Sequence, residues 1–82
     1  MHVIEVFGTG CRKCKAMVRN AEQAVAELGL EAQVVKVEDL ATIAARGVMM
    51  TPALAIDGEI VVSGHIAPVA EIKRQLEAKG RG

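Results

Sequence analysis

Aromatic side chains are nearly missing from this sequence. Phe7 is the only one in 82 residues, and there is no Trp and no Tyr. The core must therefore be built from Val, Ile, Leu, Ala and Met, which suits a compact α/β domain better than a β-sandwich. Net charge is missing too: 10 basic residues balance 10 acidic ones. No global field then recruits nucleic acid or an anionic membrane, and neither is an expected partner. Long hydrophobic runs are absent, since even the apolar stretch 47–56 is too short and too interrupted to span a bilayer. The strand-like segment 2–7 has no cationic leader before it and no small-residue cleavage site after it, so it does not read as a signal peptide. The expected compartment is the cytoplasm. There are only two cysteines, and in a cytoplasmic chain a lone pair points to catalysis or metal binding before a structural staple.

Half of the chain, 51%, is nonetheless hydrophobic, and its pattern is regular. The length leaves room for a single domain over 1–82 and no second core. Segment 2–7 (HVIEVF) is β-branched and closed by Gly8 and Gly10, a strand. Cys14, Met17, Val18, Ala21, Val25 and Leu28 then recur at three- and four-residue spacing, a long helix that Gly29 stops. Segment 32–37 (AQVVKV) reads as a second strand. Asp39 has the position of an N-cap for a short helix carrying Leu40, Ile43 and Ala44 and ending at Gly47. Segments 53–56 and 59–62 form two strands joined by Asp57-Gly58, a strong two-residue hairpin signal. Pro68 suits the first position of a last helix with Val69, Ile72 and Leu76 on its apolar stripe. Residues 79–82 are expected to fray. The predicted fold is α/β in the order β-α-β-α-β-β-α: a four-stranded mixed sheet flanked by three helices. Its opening β-α-β unit is a parallel pair with a right-handed crossover.

Cys11-Arg12-Lys13-Cys14 falls between the first strand and the first helix. A helix N-terminus offers unpaired N–H groups and the positive end of the dipole. That setting favours a thiolate on Cys11, and the thiolate is the form that attacks a disulfide. The two-residue gap places Cys14 within bonding reach, one turn deeper, where it can resolve a mixed disulfide. Gly8 and Gly10 let the backbone turn sharply and leave Cys11 uncovered. Arg12, Lys13 and Lys15 crowd a first turn where the dipole prefers acids. A local rule broken three times in four residues marks a site more often than a scaffold. Arg12 and Lys13 are thus candidates for tuning the thiolate.

Other uses of the pair are weaker. Tetrahedral zinc wants four ligands, and His2, His65 and the carboxylates do not stand at ligand spacing. A structural disulfide closing so small a loop would stabilise little. A soft-metal chaperone of the heavy-metal-associated type also carries CxxC after a first strand, and paired thiolates suit Cu(I). Such domains run β-α-β-β-α-β, however, without the helix expected here after Asp39 and with a strand at the end.

Taken together, the strand, Gly-Thr-Gly-Cys-Arg-Lys-Cys, Thr51-Pro52-Ala53-Leu54, Asp57-Gly58 and Gly64 resemble the thioredoxin superfamily. The similarity is closest to its small, glutaredoxin-sized members, the redox-active disulfide proteins, and covers the chain from His2 to about Lys79. The resemblance implies that Cys11 attacks, Cys14 resolves, Pro52 is cis, and Thr51 offers its backbone to the substrate strand. Spacing alone would have left that peptide bond trans. It implies a thiol-disulfide oxidoreductase with no bound cofactor or metal, acting on protein disulfides and served by a disulfide reductase. Two departures stand out. The aromatic residue that larger thioredoxins carry before the first cysteine is Gly10 here, and the intervening pair is Arg-Lys. Ser63-Gly64-His65-Ile66 lacks the acid of a glutathione-binding Gly-Gly-x-Asp stretch, so glutathione is not an expected partner.

Glu5 keeps two readings. It stands six residues before Cys11, where larger thioredoxins carry a buried acid for the resolving thiol's proton; alternatively it faces solvent from a half-exposed strand, the preferred reading. Met49 and Met50 are either a soft ledge for a partner or filler in a core short of aromatics, with filler preferred for Met49. His2 and His65 read as surface residues.

Overall fold

The computed structural model describes residues 2–8 and 12–80. Its elements are β1 (His2–Phe7), α1 (Arg12–Leu28), β2 (Ala32–Val37), α2 (Leu40–Ala45), β3 (Ala53–Ile56), β4 (Glu59–Ser63) and α3 (Val69–Gly80). This is the predicted order. The four strands form one mixed sheet, β2-β1-β3-β4. β1 pairs parallel with β2 and antiparallel with β3, and β3 pairs antiparallel with β4.

Alternation along β1 divides the molecule into layers. Ile4 and Val6 point to one face, where they join Met17, Ala21 and Ala24 of α1 and Ile72 and Leu76 of α3. Leu54, Ile56 and Val62 complete that core from β3 and β4. Each fully buried Leu or Ile contributes about 1.5–3 kcal/mol, so this face carries most of the hydrophobic stabilisation. Phe7 points to the other face and packs with Ile43 of α2, Ala53 and Ala55. The α1 pattern is read nearly right: Cys14, Met17 and Ala21 are buried, Ala24 joins them, and Val18, Val25 and Leu28 are only half-buried at the margin.

Local signals account for the turns. Asp57 and Gly58 both take positive φ, 52° and 89°, as a two-residue hairpin turn of this hand requires. The Asp57 carboxylate is also used: it accepts from the Val3 backbone N–H at 2.9 Å and pairs with His2 Nδ1 at 2.6 Å. His2, expected at the surface, is instead partly covered by that contact. The hairpin is not a plain ladder, because the register shifts between Leu54 and Ala55. Asp39 caps α2, accepting from the Thr42 backbone N–H at 2.9 Å and its hydroxyl at 2.7 Å. The carbonyl of Pro68 accepts the first bonds of α3, from Glu71 and Ile72. Where fraying is expected from residue 79, α3 instead continues through Lys79 and Gly80. The Lys79 ammonium reaches the Glu59 carboxylate on β4, a long-range tie that the local sequence does not display. Residues 81 and 82 lie outside the described part. No helix among the described residues is long and apolar enough to cross a membrane.

The sheet face under α2 holds an ion pair. Arg46, at the C-terminus of α2, donates to both oxygens of Glu5 at 2.7 Å each, and its guanidinium lies 5.4 Å from the centre of the Phe7 ring. Neither reading of Glu5 survives intact. It does not face open solvent, and it is not an acid held protonated. The Arg46 hydrogen bonds hold its carboxyl below the usual range, outweighing the opposing effect of burial. A carboxylate with a lowered folded pKa adds stability that is present above its unfolded pKa, about 4.3, and lost as pH falls through the folded value. Glu5→Gln is therefore expected to be less stable than the parent at neutral pH. The gap should close as the pH approaches about 3. Urea midpoints across that range test this, and a gap that stays constant would assign the loss to packing rather than charge.

Candidate active site

β1 and β3 bring the two motifs to one place. Their register ends at Phe7↔Ala53. Gly8, which leads out of β1 toward the cysteines, and Pro52, which leads into β3, are the next positions of that ladder. The Gly8 backbone N–H is tied in turn to the Val37 carbonyl of β2 at 3.0 Å. The site therefore forms at the end of the sheet where β1 stops, α1 starts and β3 begins.

Cys14 is 2% exposed, in the first turn of α1. A Cβ built on Gly8 would lie 1.9 Å from its Sγ, well inside contact distance. Gly8 is thus required for close approach as well as for turning: the strand backbone and the Cys14 sulfur occupy ground that a side chain would need. Arg12 and Lys13 are exposed beside it on the same turn, with no acid in that turn. Thr9, Gly10 and Cys11 lie outside the described residues, so the expectations placed on Gly10 and Cys11 stay expectations.

The Thr51–Pro52 peptide bond is cis. Pro52 is buried, and Thr51 is exposed. The segment is pinned from β4: the Pro52 carbonyl accepts from the Gly64 N–H at 2.9 Å, and the Ser63 hydroxyl donates to the Met50 carbonyl at 3.4 Å. Gly64 has φ +86°, and the Met50 side chain rests over it, its Cε 3.2 Å from where a Cβ would stand. Met49 is 91% exposed and Met50 61%. Met49 is therefore not core filler, and both methionines stand outside the core. The segment after Gly64 returns to α1, where the Ala67 N–H points at Met17 Sδ, 3.3 Å away, and Asn20 Nδ2 donates to the Ala67 carbonyl at 2.8 Å. His65 stays exposed, 3.6 Å from Glu71.

A family model for the thioredoxin domain matches residues 2–77 of this chain. The chain belongs to the thioredoxin family. Thioredoxins of two archaea are similar over nearly their whole length. The one from Methanocaldococcus jannaschii is 47% identical over 78 residues, covering 95% of this chain and 90% of that protein. The one from Methanothermobacter thermautotrophicus is 40% identical over 76 residues, covering 93% and 99%. The resemblance read from Cys-Arg-Lys-Cys and Thr51-Pro52 is thereby shown, and the chain is a thioredoxin-like redox protein. Within that family the raised-pKa acid considered for Glu5 is not seen here. Its carboxylate is on the α2 face, held by Arg46. Arg46 carries no local signal in the sequence, because its partner stands 41 residues away.

Gly8→Ala tests the packing at the head of the site. The new methyl must displace Cys14 Sγ or the strand end, an overpacking cost of about 1–3 kcal/mol. The variant is expected to unfold at lower denaturant and to expose Cys14 to alkylation in the folded state. An unchanged midpoint with Cys14 still protected would contradict the close approach.

Proposed function

We propose that this thioredoxin-family protein is a thiol-disulfide oxidoreductase that reduces or exchanges protein disulfides through Cys11 and Cys14. The observation that carries the reading is the setting of Cys14. Its sulfur is buried at the start of α1, against Gly8, at the end of the β1–β3 ladder that Pro52 enters. A buried second thiol cannot meet a bulky disulfide directly, and it is well placed to resolve one already joined to its neighbour.

The chemistry runs in two exchanges. The Cys11 thiolate attacks one sulfur of the target disulfide, the target S–S bond breaks, and the leaving thiolate takes a proton from solvent. Cys14, deprotonated, then attacks the Cys11 sulfur of the mixed disulfide, forming Cys11–Cys14 and releasing the second target thiol. Two electrons and two protons pass to the target. A disulfide reductase restores the dithiol. Arg12 and Lys13 favour the Cys11 thiolate by their charge. Thr51 and Pro52 present backbone to the target chain, a role that the exposure of Thr51 and the anchoring of Pro52 by Gly64 support. No bound cofactor enters the cycle. A reducing compartment such as the cytoplasm suits a protein that must return to the dithiol. The soft-metal chaperone reading has no support, since α2 stands between β2 and β3 and the last element is a helix.

The test uses the two cysteine variants with a disulfide-bonded peptide. Cys14→Ser is expected to accumulate a mixed disulfide on Cys11, released by dithiothreitol and located by peptide mass spectrometry. Cys11→Ser is expected to accumulate none. In the parent protein, limiting iodoacetamide should label Cys11 well before Cys14. Trapping on Cys14, or equal labelling of both, would overturn the assigned roles.

A further inference from the structure

The charges of this protein balance in number and not in space. Arg12, Lys13, Lys15 and Arg19 are four of its 10 basic residues. All four are exposed, in the first two turns of α1. The first acid of that helix is Glu22. Among the described residues none of the four takes part in an ion pair, and neither does Arg74 of α3, whereas Lys36, Arg46, Lys73 and Lys79 each have a carboxylate partner. Two acids, Glu38 and Asp39, follow β2 at the same end of the sheet, with Glu38 3.9 Å from Lys36. Glu5 is held by Arg46, Asp39 caps α2, Glu71 faces His65, and Asp57 and Glu59 stand at the far hairpin.

An apolar ledge lies next to this cationic end. Met49, Met50 and Ile66 are exposed, at 91%, 61% and 37%. Met50 sits over Gly64, and the chain from Gly64 to Ala67 runs back onto α1 through Met17 and Asn20. Lys13 precedes Met17 by four residues and Asn20 by seven, so it shares the helix side against which that segment packs. The ledge and Lys13 therefore share one side of α1, and Pro52 lies between Met50 and β3.

We propose that this face selects disulfides whose flanking residues are acidic and which carry an apolar side chain beside the cysteine. This rests on the oxidoreductase reading above and adds the class of partner. Four exposed cations gathered in the first two turns of α1 attract an acidic partner and favour its approach over that end of the helix. Methionine side chains are flexible and polarisable, so the ledge accepts apolar side chains of differing shape. Charge sets the choice of partner, and the ledge supplies contact once it has docked.

Three disulfide-bonded peptides test this against the reduced protein, with exchange followed by stopped-flow thiol detection. The first has Asp flanks and a Leu beside the cysteine, the second Lys flanks and the same Leu, the third Asp flanks and Ser for Leu. The first is expected to react about tenfold faster than the second at low ionic strength. The ratio should fall toward one at about 0.5 M salt, where exposed charges are screened. Lys15→Glu with Arg19→Glu, both outside the CxxC segment, should lower the same ratio. Because it is a ratio, a general change in thiol reactivity cancels. The third peptide should react more slowly than the first. Equal low-salt rates for the first two peptides overturn the charge selection while leaving the oxidoreductase reading intact. A third peptide as fast as the first overturns the role of the ledge. Reaction with no peptide at all overturns both this proposal and the reading on which it rests.

Discussion

The antiparallel pairing of β1 with β3 fixes where everything else at the site must be. Because the register closes at Phe7↔Ala53, the chain that leaves β1 and the chain that enters β3 emerge side by side. One leads to Cys11-Arg12-Lys13-Cys14 and the other comes from Thr51-Pro52. Two segments about forty residues apart in sequence are thus made neighbours by backbone hydrogen bonds, not by side-chain recognition. A slip of one residue would move Phe7 to the α1 face and Val6 to the α2 face, and would part the two motifs. The alternation of Ile4 and Val6 against Glu5 and Phe7 forbids it, since the two cores differ in size and in polarity.

On that frame the two faces divide the work. The α1–α3 face is thick and aliphatic, and it holds the helix that carries Cys14. The α2 face is thin: Ala53 and Ala55 keep it shallow, and Phe7 is its largest member. A six-residue helix has little apolar surface to hold it down, and the Glu5–Arg46 pair with the Phe7 ring supplies a second anchor at its C-terminal end. From Arg46 the chain runs within a few residues to Met49, Met50 and Thr51. The brace on α2 is therefore also a tether for the segment that presents Thr51 and Pro52.

Much of this was legible in the sequence, for reasons that are local. Asp57-Gly58 marks its hairpin because few residue pairs accept two successive positive φ values. Asp39 marks its helix start because a carboxylate three residues before Thr42 can reach that N–H. The cysteine pair announces itself by its two-residue spacing between a strand and a helix, and by cations where the dipole prefers acids. What was not legible depends on the third dimension. Arg46 meets Glu5, and Lys79 meets Glu59, only after the sheet has formed. The exposure of Met49 could not be read from an apolar side chain in an apolar run, since composition does not say which side of the α2–β3 connection faces water. For Gly8 the freedom to turn is a local property, whereas the closeness of the Cys14 sulfur depends on how β1 and α1 meet.

The central claim is that Cys11 and Cys14 form one reversible two-electron couple held by this frame. Equilibrating the protein in glutathione buffers of graded potential, quenching with acid and weighing the products by mass spectrometry measures it directly. The account predicts a single transition between the dithiol and an intramolecular disulfide lighter by two hydrogens, with a two-electron slope. A glutathione adduct or a disulfide-linked dimer as the main oxidised product, or a dithiol that persists at every potential, would contradict it.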